Sequence, residues 1–361
     1  MLLIFSNDRF GFNYELSIMN CELSIHYHSY VINVANQGYW ACCRKLIILQ
    51  TVFIDLATFM NKTSNIIGKA DSRGYGKVTL VGFGPGDPDL ITVKGLKALE
   101  NADAIFYDDL TNEEFLRRFE AEKVYVGKRS GKHSAEQDEL NQRLYERAAK
   151  GDNVVRLKGG DPMLFAHGRE EIDFLKSRSV EVEVVPGVSS GFALASLLQI
   201  PLTHRGLARS VAFVLGHGQK IQTPNADTLL YYMGGAYVSS IAKALLESGR
   251  SADTPVALVT NVSLPSQNAV YTTVGDLRYA VFRDTPVLII VGEVVGFEAE
   301  PHAGKTLLFV DEKVDLSEVD KIRFSSPSSV ETFRHIYSDD VPKRLLLLAS
   351  DQETFDAISK I

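Results

Sequence analysis

The chain has 361 residues, enough for two or three domains. Hydrophobic residues make up 45% and charged residues 23%, the balance of a globular protein rather than a disordered one. A net charge of -7 excludes nucleic-acid binding through bulk charge, yet leaves room for a local basic cluster facing an anionic small molecule.

The first 75 residues stand apart. They hold all three cysteines (Cys21, Cys42 and Cys43) and the single tryptophan, Trp40. The cysteines have neither zinc-ligand spacing nor the makings of a disulfide framework, so no metal is expected, and a reducing cytoplasm is the expected compartment. No apolar run reaches the ~18 residues of a membrane span, and the start lacks the basic region of a signal peptide. Tyr14-Glu15-Leu16-Ser17-Ile18 is echoed by Cys21-Glu22-Leu23-Ser24-Ile25, but no period of 3.6 or 2 runs through the segment. Leu46 to Phe59 reads as a short helix. The expectation is a poorly ordered extension over 1–75, with Met60 as the working start; a partner-binding or membrane-surface extension is the alternative.

Beyond it strands and helices alternate, the signature of an α/β fold. Strands are expected at Val78–Val81, Ala104–Tyr107, Val124–Val126, Val154–Leu157 and Val182–Val185. Thr92 to Asn101 reads as a helix. Ser134 with Gln137 reads as a capping box opening another, which Gly151 ends. Pro186-Gly187 breaks the chain. A second set follows: helices at Ser190–Leu198 and Val238–Glu247, and strands at Ser210–Leu215, Thr228–Tyr232, Pro255–Val259 and Pro286–Val291. After Phe297 come strands at Thr306–Val310, Ile322–Phe324 and Leu345–Leu348, and helices at Ser329–Tyr337 and Glu353–Ile358. The expected fold class is α/β: one α/β domain at 76–186, a second at 187–298, a cleft between them, and a small α/β piece at 299–361.

Three loops carry the chemistry. Gly82-Phe83-Gly84-Pro85-Gly86-Asp87-Pro88 follows a strand, and its glycines let a ligand approach the backbone. The third glycine is misplaced for a dinucleotide fingerprint. Leu157-Lys158-Gly159-Gly160-Asp161-Pro162 also follows a strand, at the end where open α/β sheets bind ligands. Asp161 can accept bonds from a ligand or stabilise the turn. Pro186-Gly187-Val188-Ser189-Ser190-Gly191 opens a helix, with Ser189 a natural N-cap and equally a ligand contact.

These strings, with Tyr107-Asp108-Asp109-Leu110, Gly127-Lys128-Arg129, Pro201-Leu202-Thr203-His204-Arg205, Tyr231-Tyr232-Met233 and Gly292-Glu293-Val294-Val295, resemble the tetrapyrrole methylase family. The resemblance keeps order and spacing from Lys77 to Phe297 and is greatest to the branch acting on uroporphyrinogen III. It implies S-adenosyl-methionine bound between two α/β domains, contacted by Pro85, Gly159, Gly160, Asp161, Leu164, Ser189, Ser190 and Met233. It also implies Asp108 as proton acceptor and Lys128 as proton donor, with an Asp108–Lys128 ion pair as the purely structural alternative. Arg129, His204 and Arg205 would meet the substrate's carboxylates, with Lys132, His133 and Arg169 as further basic candidates. A homodimer, without nucleic-acid or membrane partners, is implied too. The expected reaction moves two methyl groups to uroporphyrinogen III, giving precorrin-2. A later corrinoid substrate, or a binding protein without catalysis, is the rival. Two departures stand out. Ser189-Ser190 replaces a frequent Thr-Ala, and Asn261-Val262 falls where relatives often carry glycine. Phe324 to Phe333 is similar to the strand, serine-rich loop and helix of the uroporphyrinogen-III synthase family, but sixty residues are too few for its two lobes.

Overall fold

Val78, Leu80, Val81 and Phe83 alternate sides along one strand, and all are fully buried. A strand covered on both faces needs layers on either side, and the rest of the fold supplies them. The computed structural model describes residues 2–7, 12–19, 22–27, 30–34, 75–109, 111–127, 133–299, 305–309, 313–338 and 340–361. The chain divides into two compact units, 1–73 and 74–361.

In the first unit β1 (Leu2–Asn7), β2 (Phe12–Met19), β3 (Glu22–Tyr27) and β4 (Tyr30–Val34) form an antiparallel sheet in that order. The echo falls on neighbouring strands, with Leu16 opposite Ile25 and Ile18 opposite Leu23. Each echoed string alternates apolar and polar residues over four or five positions, a short strand signal that the lack of any longer period obscures. The expected helix at 46–59 and the expected start at Met60 lie outside the described residues.

The second unit opens with a parallel sheet. Its strands are β5 (Lys77–Gly84), β6 (Ala104–Tyr107), β7 (Glu122–Tyr125), β8 (Val154–Gly159) and β9 (Glu181–Val185), in the order β7-β6-β8-β5-β9. Between them run α1 (Val93–Glu100), α2 (Glu113–Leu116), α3 (His133–Ala149) and α4 (Gly168–Lys176). Thr92 caps α1 by accepting the Gly95 N–H at 3.1 Å. One face of the sheet packs Phe83, Leu99, Ile105 and Leu157 together; the other packs Leu80, Phe106, Leu144 and Leu175. The side chain of Ser134, half of the expected capping box, lies outside what is described. Helix α3 already includes Ser134, and the Gln137 amide turns inward to Asn141 and to Glu171 on α4.

A second sheet follows. It contains β10 (Val211–Leu215), β11 (Thr228–Tyr232), β12 (Pro255–Thr260), β13 (Asn268–Thr273) and β15 (Val287–Val291), in the order β10-β11-β15-β12-β13. Helix α5 (Ser190–Leu197) and helix α6 (Val238–Glu247) pack on it. Val238, Ile241, Ala242 and Leu245 make the buried stripe of α6, and Gly249 ends that helix with φ +89°. Strand β13 escapes sequence reading because Asn268, Thr272 and Thr273 break the apolar run; it is held by full antiparallel pairing with β12.

The C-terminal strands β16 (Thr306–Leu308), β17 (Lys321–Phe324) and β18 (Leu346–Ala349) run parallel, flanked by α9 (Pro327–Tyr337) and α10 (Gln352–Ile358); short helices α7 (Val274–Leu277) and α8 (Gly296–Ala299) precede them. Their sheet takes its fourth strand, β14 (Ala280–Val281), from the preceding region. Strand β18 serves two cores: Leu346 and Leu348 pack with α6 and β15, while Leu347 and Ala349 pack with Phe324 and Phe333. Arg323 donates to Asp276 at 2.6 Å, and Lys321 donates to the Tyr271 carbonyl at 2.9 Å.

Two predictions follow from this packing. Leu348→Ala opens a cavity between two layers and is expected to cost about 2–5 kcal/mol. Urea titration followed by circular dichroism reads that loss; an unchanged midpoint refutes it. Glu183 holds Lys77 and Lys94, which pull its carboxyl from an ordinary 4.5 down to about 2. A depressed acid stabilises the fold above its unfolded pKa, and that stability is lost as pH falls through the folded value. The midpoint gap between wild type and Glu183→Gln should therefore be full at pH 6 and shrink from about 4.5 towards about 2.

Candidate functional site

Parallel strands place all their carboxyl ends on one edge, so Gly84, Asp108, Gly159 and Pro186 emerge together. The three glycine loops meet there. Gly84 and Gly160 exchange backbone hydrogen bonds, Gly160 N–H donating at 2.7 Å and Gly84 N–H at 3.3 Å. A Cβ on Gly82 would stand 2.5 Å from Gly187, and one on Gly187 would stand 2.2 Å from the Gly160 carbonyl oxygen. The loops pack backbone to backbone, which only glycine permits.

The edge is lined from both halves of the unit. Asp87 N–H donates to Ser263 Oγ at 2.9 Å. The Phe165 and Tyr232 rings lie 5.2 Å apart. Ser189, expected as an N-cap, makes no capping bond. Its hydroxyl pairs with the Tyr232 hydroxyl at 2.8 Å, and the Gly191 N–H donates to the same phenol at 3.1 Å. Burial pushes the Tyr232 phenol above its ordinary pKa, so it stays neutral and can donate.

Asp161 divides its carboxylate between two turns. One oxygen accepts the Met163 N–H at 2.8 Å, the other the Gly187 N–H at 3.1 Å. Gly160, at φ +67°, has open space where a Cβ would stand. Phe165, His167, Met233, Asn261 and Ser263 also hold positive φ on these loops, a strain that well-supported functional sites tolerate. Asn261, at φ +51°, takes the left-handed conformation that glycine adopts most easily. Met233 is half exposed, Leu164 and Pro85 are partly buried, and Ser190 opens α5.

Asp108 follows β6 directly. Its Oδ2 accepts from Arg156 Nη2 at 3.1 Å. Arg156 and Lys158 sit two residues apart on β8, so both point to the α3–α4 side, and each is about 5% exposed. Glu171 of α4, fully buried, accepts from Lys158 at 2.6 Å. Burial foremost, then the Arg156 charge, pushes the Lys158 ammonium below its ordinary pKa. Sequence reading missed Arg156 and Glu171. The available signal was two cations on one face of an otherwise apolar strand.

Leu110, Lys128, Arg129 and Lys132 lie outside the described residues, as does the expected Asp108–Lys128 pair; of the His133 side chain nothing is described. His204 and Arg205 sit on an exposed turn closed by bonds between His204 and Ala208, and His204 packs on Phe297 at 4.9 Å. Arg169 is tied to Asp173 on the outer face of α4, at 2.7 Å, and is a surface group. Among the described residues no cluster of three His, Cys, Asp or Glu could hold a metal, and no helix is long and apolar enough to cross a membrane.

An α/β pair with glycine-bordered loops meeting at one strand edge makes a place for a small-molecule ligand, and comparison with known proteins gives it a family. Residues 77–278 match the family model of the tetrapyrrole (corrin/porphyrin) methylases, and the chain belongs to that family. A uroporphyrinogen-III C-methyltransferase of Methanocaldococcus jannaschii is 44% identical over 234 residues, covering 61% of this chain and 97% of that protein. A siroheme synthase of Zymomonas mobilis is 42% identical over 243 residues, but this chain covers only 51% of its length. The crystal structure of a uroporphyrin-III C-methyltransferase from Thermus thermophilus complexed with S-adenyl homocysteine superposes with a TM-score of 0.53 at 41% identity, covering 62% of this chain and all of that one.

The glycine contacts make a stability prediction. Gly82→Ala must push Gly187 and the Gly160 carbonyl apart, and should lower thermal stability by about 2 kcal/mol or more, within the range of overpacked cores. A melting curve matching wild type would show that the loops do not pack as described.

Proposed function

We propose that this chain is an S-adenosyl-methionine-dependent methyltransferase that moves two methyl groups to uroporphyrinogen III, giving precorrin-2 for siroheme or cobalamin synthesis. The carrying observation is the convergence of the Gly84, Gly160 and Gly187 loops on one edge with Asp108 beside them. The named function of the relatives, at 41–44% identity, supports it. A later corrinoid substrate has weaker support: the cobalt precorrin-4 methyltransferase structure has a similar TM-score, 0.53, but 30% identity.

The residues present fit the methyl donor. Gly160 offers bare backbone towards open space, and Gly159 and Asp161 flank it with peptide groups and a carboxylate. Pro85, Leu164 and Met233 add apolar contact, and Ser189 and Ser190 add hydroxyls. When bound, S-adenosyl-methionine supplies an electrophilic methyl group on a sulfonium. The protein's own work is then alignment, which brings a pyrrole carbon into line with that methyl. Transfer would break the sulfur–methyl bond as the carbon–carbon bond forms, releasing S-adenosyl-homocysteine and leaving on the ring a positive charge that loss of a proton discharges. Asp108 takes that proton, held at the strand tip by Arg156. Lys128 is the proton donor, protonating one ring position as a second proton leaves another, so that one proton is lost overall for each methyl gained, and Arg129, His204 and Arg205 bind the substrate's carboxylates through charge-assisted hydrogen bonds. The domain boundaries at 76–186, 187–298 and 299–361, a homodimer, and a cytoplasmic location without nucleic-acid or membrane partners complete the reading.

Incubation with uroporphyrinogen III and labelled S-adenosyl-methionine should yield a product carrying two labelled methyl groups; label left wholly in the donor rejects this function. Asp108→Ala should lower kcat by about 10²–10⁴-fold with S-adenosyl-homocysteine affinity intact. Lost affinity instead would make Asp108 architectural. Gly160→Ala fills open space, so it should abolish S-adenosyl-homocysteine binding in calorimetry while costing only about 1–2 kcal/mol of stability at its positive φ.

A further inference from the structure

A fully buried carboxylate stands behind Asp108 without touching it. Glu171 Oε1 accepts from Lys158 Nζ at 2.6 Å and from Gln137 Nε2 at 3.2 Å, and lies 3.7 Å from Arg156 Nε. Arg156 carries the connection onward. Its Nη1 donates to the carbonyls of Leu157 at 2.7 Å and Phe106 at 3.4 Å, and its Nη2 reaches Asp108 at 3.1 Å. The four charges, two of each sign, balance. They join α4, β8 and the tip of β6, and Gln137 adds α3, the helix that begins five residues after Lys128.

A fold seeking only stability would fill this space with apolar side chains, because ions removed from water are costly even when paired. The cluster is also incompletely satisfied: Glu171 Oε2 and Arg156 Nε make no hydrogen bond among the described residues. Buried, partly unsatisfied polar groups beside a strand tip suggest a task other than cohesion.

We propose that Glu171 is a positioning residue for methyl transfer: it anchors Lys158 and Arg156 so that one guanidinium nitrogen fixes the Asp108 carboxylate at the strand tip. The assignment rests on the reading of Asp108 as proton acceptor. Without Glu171, two cations on one strand face would repel across a buried gap. The guanidinium would then lose the anion on its Nε side and tilt about its carbonyl bonds, shifting the Nη2 that holds Asp108, or Lys158, already pushed towards its neutral form by burial, would lose its proton. The cofactor loops would be little affected, because Gly160, Asp161 and Gly187 are held by separate bonds.

Two variants of the full chain test this. Glu171→Gln keeps the shape and removes the charge; Glu171→Asp keeps the charge and draws it back by one methylene. Rates are taken per folded site, counted by S-adenosyl-homocysteine binding. Both variants should lower kcat, about 10–100-fold for Gln and less for Asp, with KM for uroporphyrinogen III and S-adenosyl-homocysteine affinity within about twofold of wild type. If Glu171→Gln does not fold, Glu171→Asp decides alone. Wild-type kcat per folded site, or a change confined to KM, overturns the proposal. Asp108→Ala separates the two claims. If it keeps wild-type kcat, the acceptor reading fails. If it is inactive while the Glu171 variants turn over normally, only the positioning role fails.

Discussion

The contact between the backbones of Gly82, Gly160 and Gly187 governs this structure. Three loops from three strand ends approach so closely that no Cβ fits on Gly82 or Gly187. That closeness is possible because β8 and β9 flank β5 in parallel, which sends their ends out side by side. Everything placed around the site inherits its position from this contact. Asp161 bonds across to Gly187, Asp87 bonds to Ser263, and Ser189 reaches the Tyr232 phenol. The second sheet thus adds one wall, and the glycine contact sets the floor.

The charged cluster obeys a different logic. Hydrophobic burial fixes β8 through Val154, Val155 and Leu157, and Arg156 and Lys158 are carried inside by the same strand. Their burial is tolerable because Glu171 and Asp108 supply opposite charge from α4 and β6. The order inside the site therefore comes from two sources: shape at the glycines and charge balance beneath Asp108.

Much of this was legible in the sequence wherever one local signal decided the outcome. The buried strands Ala104–Tyr107 and Thr228–Tyr232 and the helix Val238–Glu247 lie where apolar runs and an i, i+3, i+4 stripe place them. The signals failed where a distant partner decided. Strand β13 mixes polar with apolar residues and is held by its pairing with β12. The Gln137 amide reaches Glu171 on the next helix, and Ser189 leaves its own helix for Tyr232. In each case a tertiary hydrogen bond decides, and a single sequence does not show which side chain lies opposite. The glycine loops were readable as loops, but that they share one edge followed only from the sheet order.

The sharing of β14 carries a practical consequence for anyone dividing this protein. A cut at residue 298 keeps Ala280 and Val281 but discards β18, the neighbour that pairs with them. It also strips Leu346 and Leu348 from the layer over α6 and β15. The shortened polypeptide would expose a raw sheet border and a greasy scar, the ingredients of self-association. What resembles an appendage by length is, in mechanical terms, part of the wall.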